Sequence, residues 1–529
     1  MRLTLDLLLL NKRLRDAVLV VCAGLMVLLY LSVGVGGFPL DDSWIHQVYA
    51  RNLAERGEWA FVPGEPSGAS TAPLYTLLLA AGYALNIDYR LWTHLLGFLA
   101  LAIAALLAAR LIDRAANVTD LVERVLPGWF GGLTVVFSWH LIWAAVSGME
   151  TLLFAMLTLA FIWLTWRELD SGRSAQPRDA GWRGAAIGMI TALMVATRPE
   201  GALLGAVGAG LMLLAYPQHD RRVLFALGGG AALAFALTIT PYLLLNLSLN
   251  GAPLPNTSEA KFAQHVPLLA QPYTERLLDM KLPLLVGGLA LLVPGVVVYG
   301  LVMISRGLTV NREAWLWLLP LAWAAALIML YAARLPAAYQ HGRYVMPALP
   351  ALLIIGVVGT DWLLTRTRGL PGVRVLPLTL AFAAALTVLY FAVGQGPLIY
   401  RADQRVIEDE MVAQAQWIRD NLPPDALLAV HDIGAVGYFA PRRIIDIAGL
   451  VTPEATDRIG DAEALWALMQ DRRADYLMAF PDQIPGQNPD DPRLCFVHDS
   501  PGTGSTDLGG PKMTIYRIAW DENCADQTP

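Results

Sequence analysis

Two adjacent carboxylates, Asp41 and Asp42, follow the first apolar stretch of the chain, with His46 close behind. Like charges at an apolar boundary repel each other, which lifts one pKa of the pair and suits that carboxylate to general-base work. The same aspartates would also cap a helix starting at Ser43, because the side chain accepts from the first free backbone amides. Glu150, after Ser147 and Gly148, is a second acid, again at a place that suits a helix start. Lys261, Arg343 and Arg198 are cations of the kind a phosphate or pyrophosphate group needs. Contact with lipid headgroups is their plainer use. Arg198 and Glu200 interrupt an apolar stretch, where a charge at the bilayer centre costs roughly 2.5 to 3.5 kcal/mol. Pro199 and Gly201 favour a tight turn near the surface instead, a hairpin tip at which arginine and glutamate simply pair.

These groups fall in five polar clusters: Asp41 to His46, Ser147 to Thr151, Arg198 to Gly201, Pro255 to Lys261 with Asn256, and Gln340 to Tyr344 with His341. Only the elements between them can bring them together. Those elements are apolar: of 529 residues 56% are hydrophobic and 16% charged, and the mean hydropathy of +0.49 is that of a multi-span membrane protein. A span needs about 20 mostly apolar residues. Candidates lie at 16–38, 91–112, 125–146, 151–166, 184–197, 201–216, 223–247, 283–304, 314–332, 345–364 and 374–394, eleven in all. The first follows Arg2, Lys12, Arg13 and Arg15, is longer than a signal-peptide core and has no small-residue cleavage pattern after it, so it reads as an uncleaved signal anchor.

The run from Thr71 to Leu85 is short and opens near Pro73. If it lies on the outer face, the inner loops hold Arg110, Arg114 and Arg124; Arg167, Arg173, Arg178 and Arg183; Arg221 and Arg222; Arg306 and Arg312; Arg366, Arg368 and Arg374. If it spans, those arginines move outside, against the positive-inside bias. With the run non-spanning and the N-terminus inside, all five clusters face outward, and so does the tail. The expected fold is therefore a multi-span α-helical membrane protein of about eleven helices over 1–394, its outer loop 1 with juxtamembrane helices at about 39–90. A soluble α/β domain on the outer face follows over 395–529.

In the tail, Ala426 to Val430 and Tyr476 to Phe480 read as buried strands around a helix over Asp461 to Asp471, after a helix over Gln404 to Asn421. Cys495 and Cys524 could pair if the tail meets an oxidising compartment. No Walker loop, His-Glu-x-x-His motif or nucleophile elbow stands out, and Gly228-Gly229-Gly230 lies inside a span. Nucleic-acid binding has no support.

At the polar clusters the chain resembles the GT-C class of membrane glycosyltransferases, which includes protein O-mannosyltransferases, lipid A aminoarabinose transferase and mycobacterial arabinofuranosyltransferases. The resemblance runs from Asp41 to about Tyr344. It is most specific over Asp41 to Ala80, with Asp-Asp-Ser-Trp-Ile, Tyr-Ala-Arg-Asn-Leu, Pro-Gly-Glu and Ser-Thr-Ala-Pro-Leu-Tyr. Ser-Gly-Met-Glu-Thr, Arg-Pro-Glu-Gly, Pro-Asn-Thr and Gly-Arg-Tyr match the branch of the arabinofuranosyl enzymes, and His431-Asp432-Ile433-Gly434 resembles the start of its outer domain. One departure is Ser70-Thr71-Ala72-Pro73, where many relatives carry Thr-Ser-Pro or Thr-Asn-Pro.

The resemblance implies transfer of a sugar from a polyprenyl monophosphate carrier to an acceptor hydroxyl at the outer face, usually with inversion. The expected setting is a bacterial inner membrane. The acceptor would be a cell-envelope glycan, lipid or protein, and membrane lipids would surround the spans. Such enzymes often keep an arginine nine positions after the aspartate that deprotonates the acceptor. Arg51 then selects Asp42 as the base, with Asp41 the other candidate and Glu150 in the place of the second-loop acid. Arg343, Lys261 and Arg198 would neutralise the leaving phosphate, and Glu200, His46, Asn256, Tyr344 and His341 complete the expected substrate-binding set. Some members hold a divalent metal on such acids, and Asp42 with Glu150 would offer the ligands. A required metal is not expected. The competing reading is a transporter of lipid-linked saccharide or polymer gated by the outer cluster. Repeat symmetry or mid-membrane charges along a path would mark one, whereas here the spans are largely free of charge.

Overall fold

The computed structural model describes residues 11–118, 126–170, 176–215, 221–253, 257–520 and 524. Each of the eleven apolar stretches contains a helix. Among the described residues, seven helices are long and apolar enough to cross a membrane. The pair Gly128–Val136 and Trp139–Val146, bent by 50°, makes an eighth if it is one span. Gly201–Ala215 and Leu319–Arg334 are shorter apolar helices, and Pro177–Val195 carries charge at its start. The chain is a multi-pass membrane protein.

Small residues draw several of these helices together. Gly184 and Gly188 of Pro177–Val195 lie against the backbone of Leu227 and Ala231 in Arg221–Asn250, and Gly230 returns the contact at Gly181. A Cβ at any of the three would meet a carbonyl oxygen, so the glycine run at 228–230 serves helix packing.

Four short elements follow the first span, α1 (Lys12–Val33). Helix α2 (Asp41–Arg56) leads into a hairpin of β1 (Ala60–Val62) and β2 (Glu65–Pro66), and helix α3 (Pro73–Ala84) comes next. The twelve residues of α3 reach about 18 Å, short of the roughly 30 Å of a hydrocarbon core. Its Tyr75, Leu79 and Ala80 pack on Ala50 of α2, making it a platform element.

The last apolar helix, Pro371–Tyr390, continues through a π turn at 391–395 into Gly396–Val406 and on, through a second π stretch, to Asn421. Helical structure therefore carries through position 395. Beyond it lie β3 (Leu428–Val430), β4 (Ile444–Asp446), β5 (Tyr476–Ala479), β6 (Leu494–Asp499) and β7 (Thr514–Ile518), in sheet order β4-β3-β5-β7-β6. The pairs of β3 with β4 and β5 are parallel, those of β7 with β5 and β6 antiparallel. Helix Ala462–Asp471, capped by Asp461, covers the sheet, and Cys495 and Cys524 are joined in a disulfide.

The C-terminal unit is fastened to α2 by groups that look free in the sequence. Asp41 does not cap its own helix. Leu40 is the N-cap of α2, with no side-chain cap bond, and the Asp41 carboxylate instead accepts from the amides of Gly434 (2.6 Å) and Ala435 (2.8 Å). Arg51 donates to the carbonyls of Tyr438 (3.0 Å) and Gly437 (3.3 Å). Trp44 packs on Tyr438 and Phe439. Burial and nearby Asp432 push the Asp41 carboxyl above its ordinary value, while the two amides pull it back. Asp41→Ala would leave two buried donors unmet, at about 2 to 6 kcal/mol in all. The expected result is a lower Tm in detergent with turnover per folded molecule within a few-fold of wild type. A large fall in turnover at unchanged Tm would return Asp41 to the chemistry.

Candidate active site

Above the helices, α2, the turn at Arg198–Gly201, the helix Thr257–His265, the end of Leu319–Arg334 and the segment at Arg343–Tyr344 enclose a cavity of about 410 Å³. That size suits a small-molecule group. Asp42 opens into it with 28% of its side chain exposed. Its Oδ2 accepts from Arg343 Nη2 at 2.6 Å and lies 3.6 Å from Lys261 Nζ. Burial would raise the Asp42 pKa, but Lys261 and Arg343 outweigh it and hold the carboxyl well below the usual carboxylate range.

Glu150 forms a second, deeper centre. Its Oε2 is 3.3 Å from His46 Nε2 and its Oε1 is 3.8 Å from Arg198 Nη1. Against the upward push of burial, His46 and Arg198 keep this carboxyl below its ordinary value. His46 is backed by Thr76, whose Oγ1 is 3.5 Å from Nδ1 and 2.7 Å from Ser70 Oγ. The Ser-Thr-Ala-Pro segment thus keeps the loop intact, with Ser70 buried, Thr71 on the cavity wall and Pro73 opening α3.

Arg198 binds Tyr331 OH at 2.7 Å, Glu200 Oε1 at 3.4 Å and the carbonyl of Arg343 at 3.4 Å. The hairpin-tip pairing with Glu200 exists, then, but the guanidinium also ties the two acid centres together. Arg343 is only 4% exposed, and its Nε and Nη1 have no hydrogen-bond partner among the described residues. Buried donors left open in this way are costly unless an anion satisfies them. Tyr344 lies under three cations, with Arg343, Arg198 and Lys261 at 5.0, 5.5 and 6.0 Å from its ring centroid.

The segment that delivers Arg343 is unusual. Gln340, His341 and Gly342 all have positive φ, at 53°, 59° and 70°. For the two residues with a Cβ this costs of order 1–3 kcal/mol each and survives only where surrounding contacts enforce it.

Compared by sequence, residues 399–516 match the family model described as domain of unknown function DUF8728, and no curated protein matches. Compared by structure, the chain superposes over nearly its whole length on two solved membrane enzymes. ArnT from Cupriavidus metallidurans in the apo state aligns with TM-score 0.60 and 16% identity over 97% of this chain and 99% of that one. Its complex with undecaprenyl phosphate gives TM-score 0.58 and 15% identity over 96% and 98%. The Archaeoglobus fulgidus oligosaccharyltransferase tethered to an acceptor peptide gives TM-score 0.61 and 12% identity over 96% and 74%. The chain has the GT-C fold.

Within that fold most of the residues expected from the sequence meet. Asp42, His46, Glu150, Arg198, Glu200, Lys261, Arg343 and Tyr344 all line the cavity. Asp41 does not, being turned toward the C-terminal unit. His341 does not either: its Nε2 pairs with Asp403 Oδ2 at 2.7 Å, on the other side of the turn. Asn256 lies outside the described residues, next to Thr257, which lines the cavity with a buried hydroxyl that has no partner among the described residues.

Tyr331, Thr197, Phe262, Arg334 and Leu450 also line the cavity, although no motif marks them. Tyr331 sits near the end of an apolar helix, where its pattern is that of any interfacial aromatic, and Leu450 comes from the loop after β4. Among the described residues no cluster of three or more His, Cys, Asp or Glu side chains is gathered as a metal site. The donor set does not fit a divalent ion, because Asp42 and Glu150 are each already held by two neighbouring basic side chains.

Proposed function

We propose that this protein is a glycosyltransferase moving a sugar from a polyprenyl monophosphate to an acceptor hydroxyl at the outer face of a bacterial inner membrane. The observation that carries it is Asp42: a carboxylate open to the cavity and in direct contact with Arg343 and Lys261. The solved neighbours supply the setting, since ArnT binds undecaprenyl phosphate and the archaeal enzyme AglB was solved with dolichol phosphate. The disulfide of the tail and the arginine-rich opposite loops support an N-terminus inside and a C-terminal domain outside.

In this reading the acceptor oxygen attacks the anomeric carbon from the face opposite the phosphate, and its proton passes to Asp42. The bond from the anomeric carbon to the phosphate oxygen breaks with inversion, and the released polyprenyl phosphate keeps the electron pair. Arg343, Lys261 and Arg198 balance its added charge. The low basicity of Asp42 belongs to the free enzyme. A donor phosphate competes for Arg343 and Lys261, and each cation drawn away returns basicity to the carboxylate as the donor binds. Glu150 fixes Arg198 and His46 at the cavity floor. No metal takes part in the scheme.

The direct test is transfer by the purified protein from a panel of synthetic polyprenyl-phosphate sugars to cell-envelope glycans, lipids and proteins. A base whose pKa is lowered stays ionised to lower pH, so kcat/KM, which reports free enzyme, should show no acid limb in the carboxylate range near Asp42's ordinary 3.8 or above it. A limb with a midpoint between about pH 6 and 7, the range of an ordinary histidine, would assign the proton to another group. Movement of intact lipid-linked saccharide across sealed vesicles, without transfer, would favour the transporter instead.

A further inference from the structure

Behind the turn at Gln340–Gly342 lies a polar contact that the proposed chemistry leaves unused. Asp403, on the helix Gly396–Val406, accepts at Oδ2 both from Trp143 Nε1 (2.8 Å) and from His341 Nε2 (2.7 Å). The His341 ring stands edge-on to Trp139 and Trp143, with centroids 5.1 and 5.2 Å apart. Gly342 presses on Pro283, whose carbonyl is 2.9 Å from His140 Nε2. The next residue, Arg343, emerges on the opposite side with its guanidinium on Asp42 and its carbonyl on Arg198. A left-handed backbone needs an outside restraint. Among the described residues, the His341–Asp403 bond is the polar side-chain tie from this turn to the C-terminal helix.

We infer that His341 and Asp403 form a positioning clamp, which holds the left-handed turn so that Arg343 meets Asp42 and the phosphate of the lipid donor. The clamp ties the start of the C-terminal unit to the active site. It rests on the transferase reading for its ligand, and on the turn geometry alone for its mechanical part. Neither residue touches the cavity, so both act through Arg343.

Two readouts separate these parts. In Asp403→Ala, which removes the oxygen that accepts from both His341 and Trp143, hydrogen exchange of the amides at 338–345 should rise while that of the β3–β5 sheet stays put. Affinity for a short-chain polyprenyl phosphate in detergent micelles, measured against the matching polyprenol, should fall roughly tenfold. In an Arg343→Lys background the same change should cost almost nothing, since coupled residues are non-additive. His341→Gln, whose amide still reaches the carboxylate, should keep most of the affinity. If Asp403→Ala does not fold, His341→Ala carries the same comparison. Unchanged exchange at 338–345 overturns the clamp, as does a loss of affinity that simply adds to that of Arg343→Lys. Wild-type protein that prefers polyprenyl phosphate no more than polyprenol overturns the transferase reading, and with it the role given to the clamp.

Discussion

Asp42→Asn is expected to lower turnover by roughly 10²- to 10⁴-fold, the usual contribution of a positioned general base, while binding of polyprenyl phosphate becomes tighter. The two effects have one cause. In the free enzyme Asp42 is the anion that occupies Arg343 and Lys261, so the donor phosphate must compete with it for both. Asparagine keeps the shape of the side chain but neither accepts the proton nor holds the cations by charge. Initial rates with a working donor, and a titration of the purified protein with polyprenyl phosphate, measure the pair. Lost turnover with weaker lipid binding would mean that Asp42 helps to build the phosphate site. Unchanged turnover would move the base to Glu150 or Asp41.

Removing the main cation should produce the second large effect. Arg343→Ala is expected to reduce kcat/KM for the donor by roughly 10²- to 10³-fold, in the range of a lost charge-stabilising donor. Arg343 is buried, has two nitrogens without a partner among the described residues and reaches Asp42 at 2.6 Å. Without it Asp42 keeps Lys261 at 3.6 Å as its near cation, so its pKa must rise toward the ordinary value. An acid limb should therefore enter the measurable range of the kcat/KM profile, activity being lost at a higher pH on acidification than in the wild type. Arg343→Lys should recover only part of the rate, because an ammonium lacks the planar fork that meets a phosphate at two oxygens. A donor kcat/KM that survives Arg343→Ala would place the phosphate against Lys261 and Arg198 alone.

Part of this site is legible in the amino-acid sequence because it depends on short-range signals. Helices form wherever apolar residues run long enough, and each polar interruption falls at a helix end, where a charge avoids the cost of the bilayer interior. The arginine bias of alternate loops then assigns the clusters to one face. For that reason Asp42, Glu150, Arg198, Lys261 and Arg343 can be named together although up to 301 positions separate them in contact. Length and charge separate the α3 segment from a span in the sequence, and the helix there is twelve residues long.

Hydropathy does not rank near neighbours, and only the family resemblance, through Arg51, prefers Asp42 to Asp41. Asp41 and Asp42 are identical in type and adjacent in sequence, yet successive residues on a helix point about 100° apart. That rotation sends Asp42 to the cavity and Asp41 to the amides of Gly434 and Ala435, 393 and 394 positions away. His341 and Arg343 are divided in the same way by a left-handed turn in which glycine's own freedom accounts for Gly342 but not for Gln340 and His341. Sequence alone determined the membrane class, the helix positions and the polar residue types, because hydrophobic transfer and loop charge act locally. The tertiary structure decided which acid faces the cavity, which cations neutralise it and which histidine stands outside. Those choices depend on the relative rotation of packed helices and on contacts hundreds of residues apart, which only the folded chain brings together.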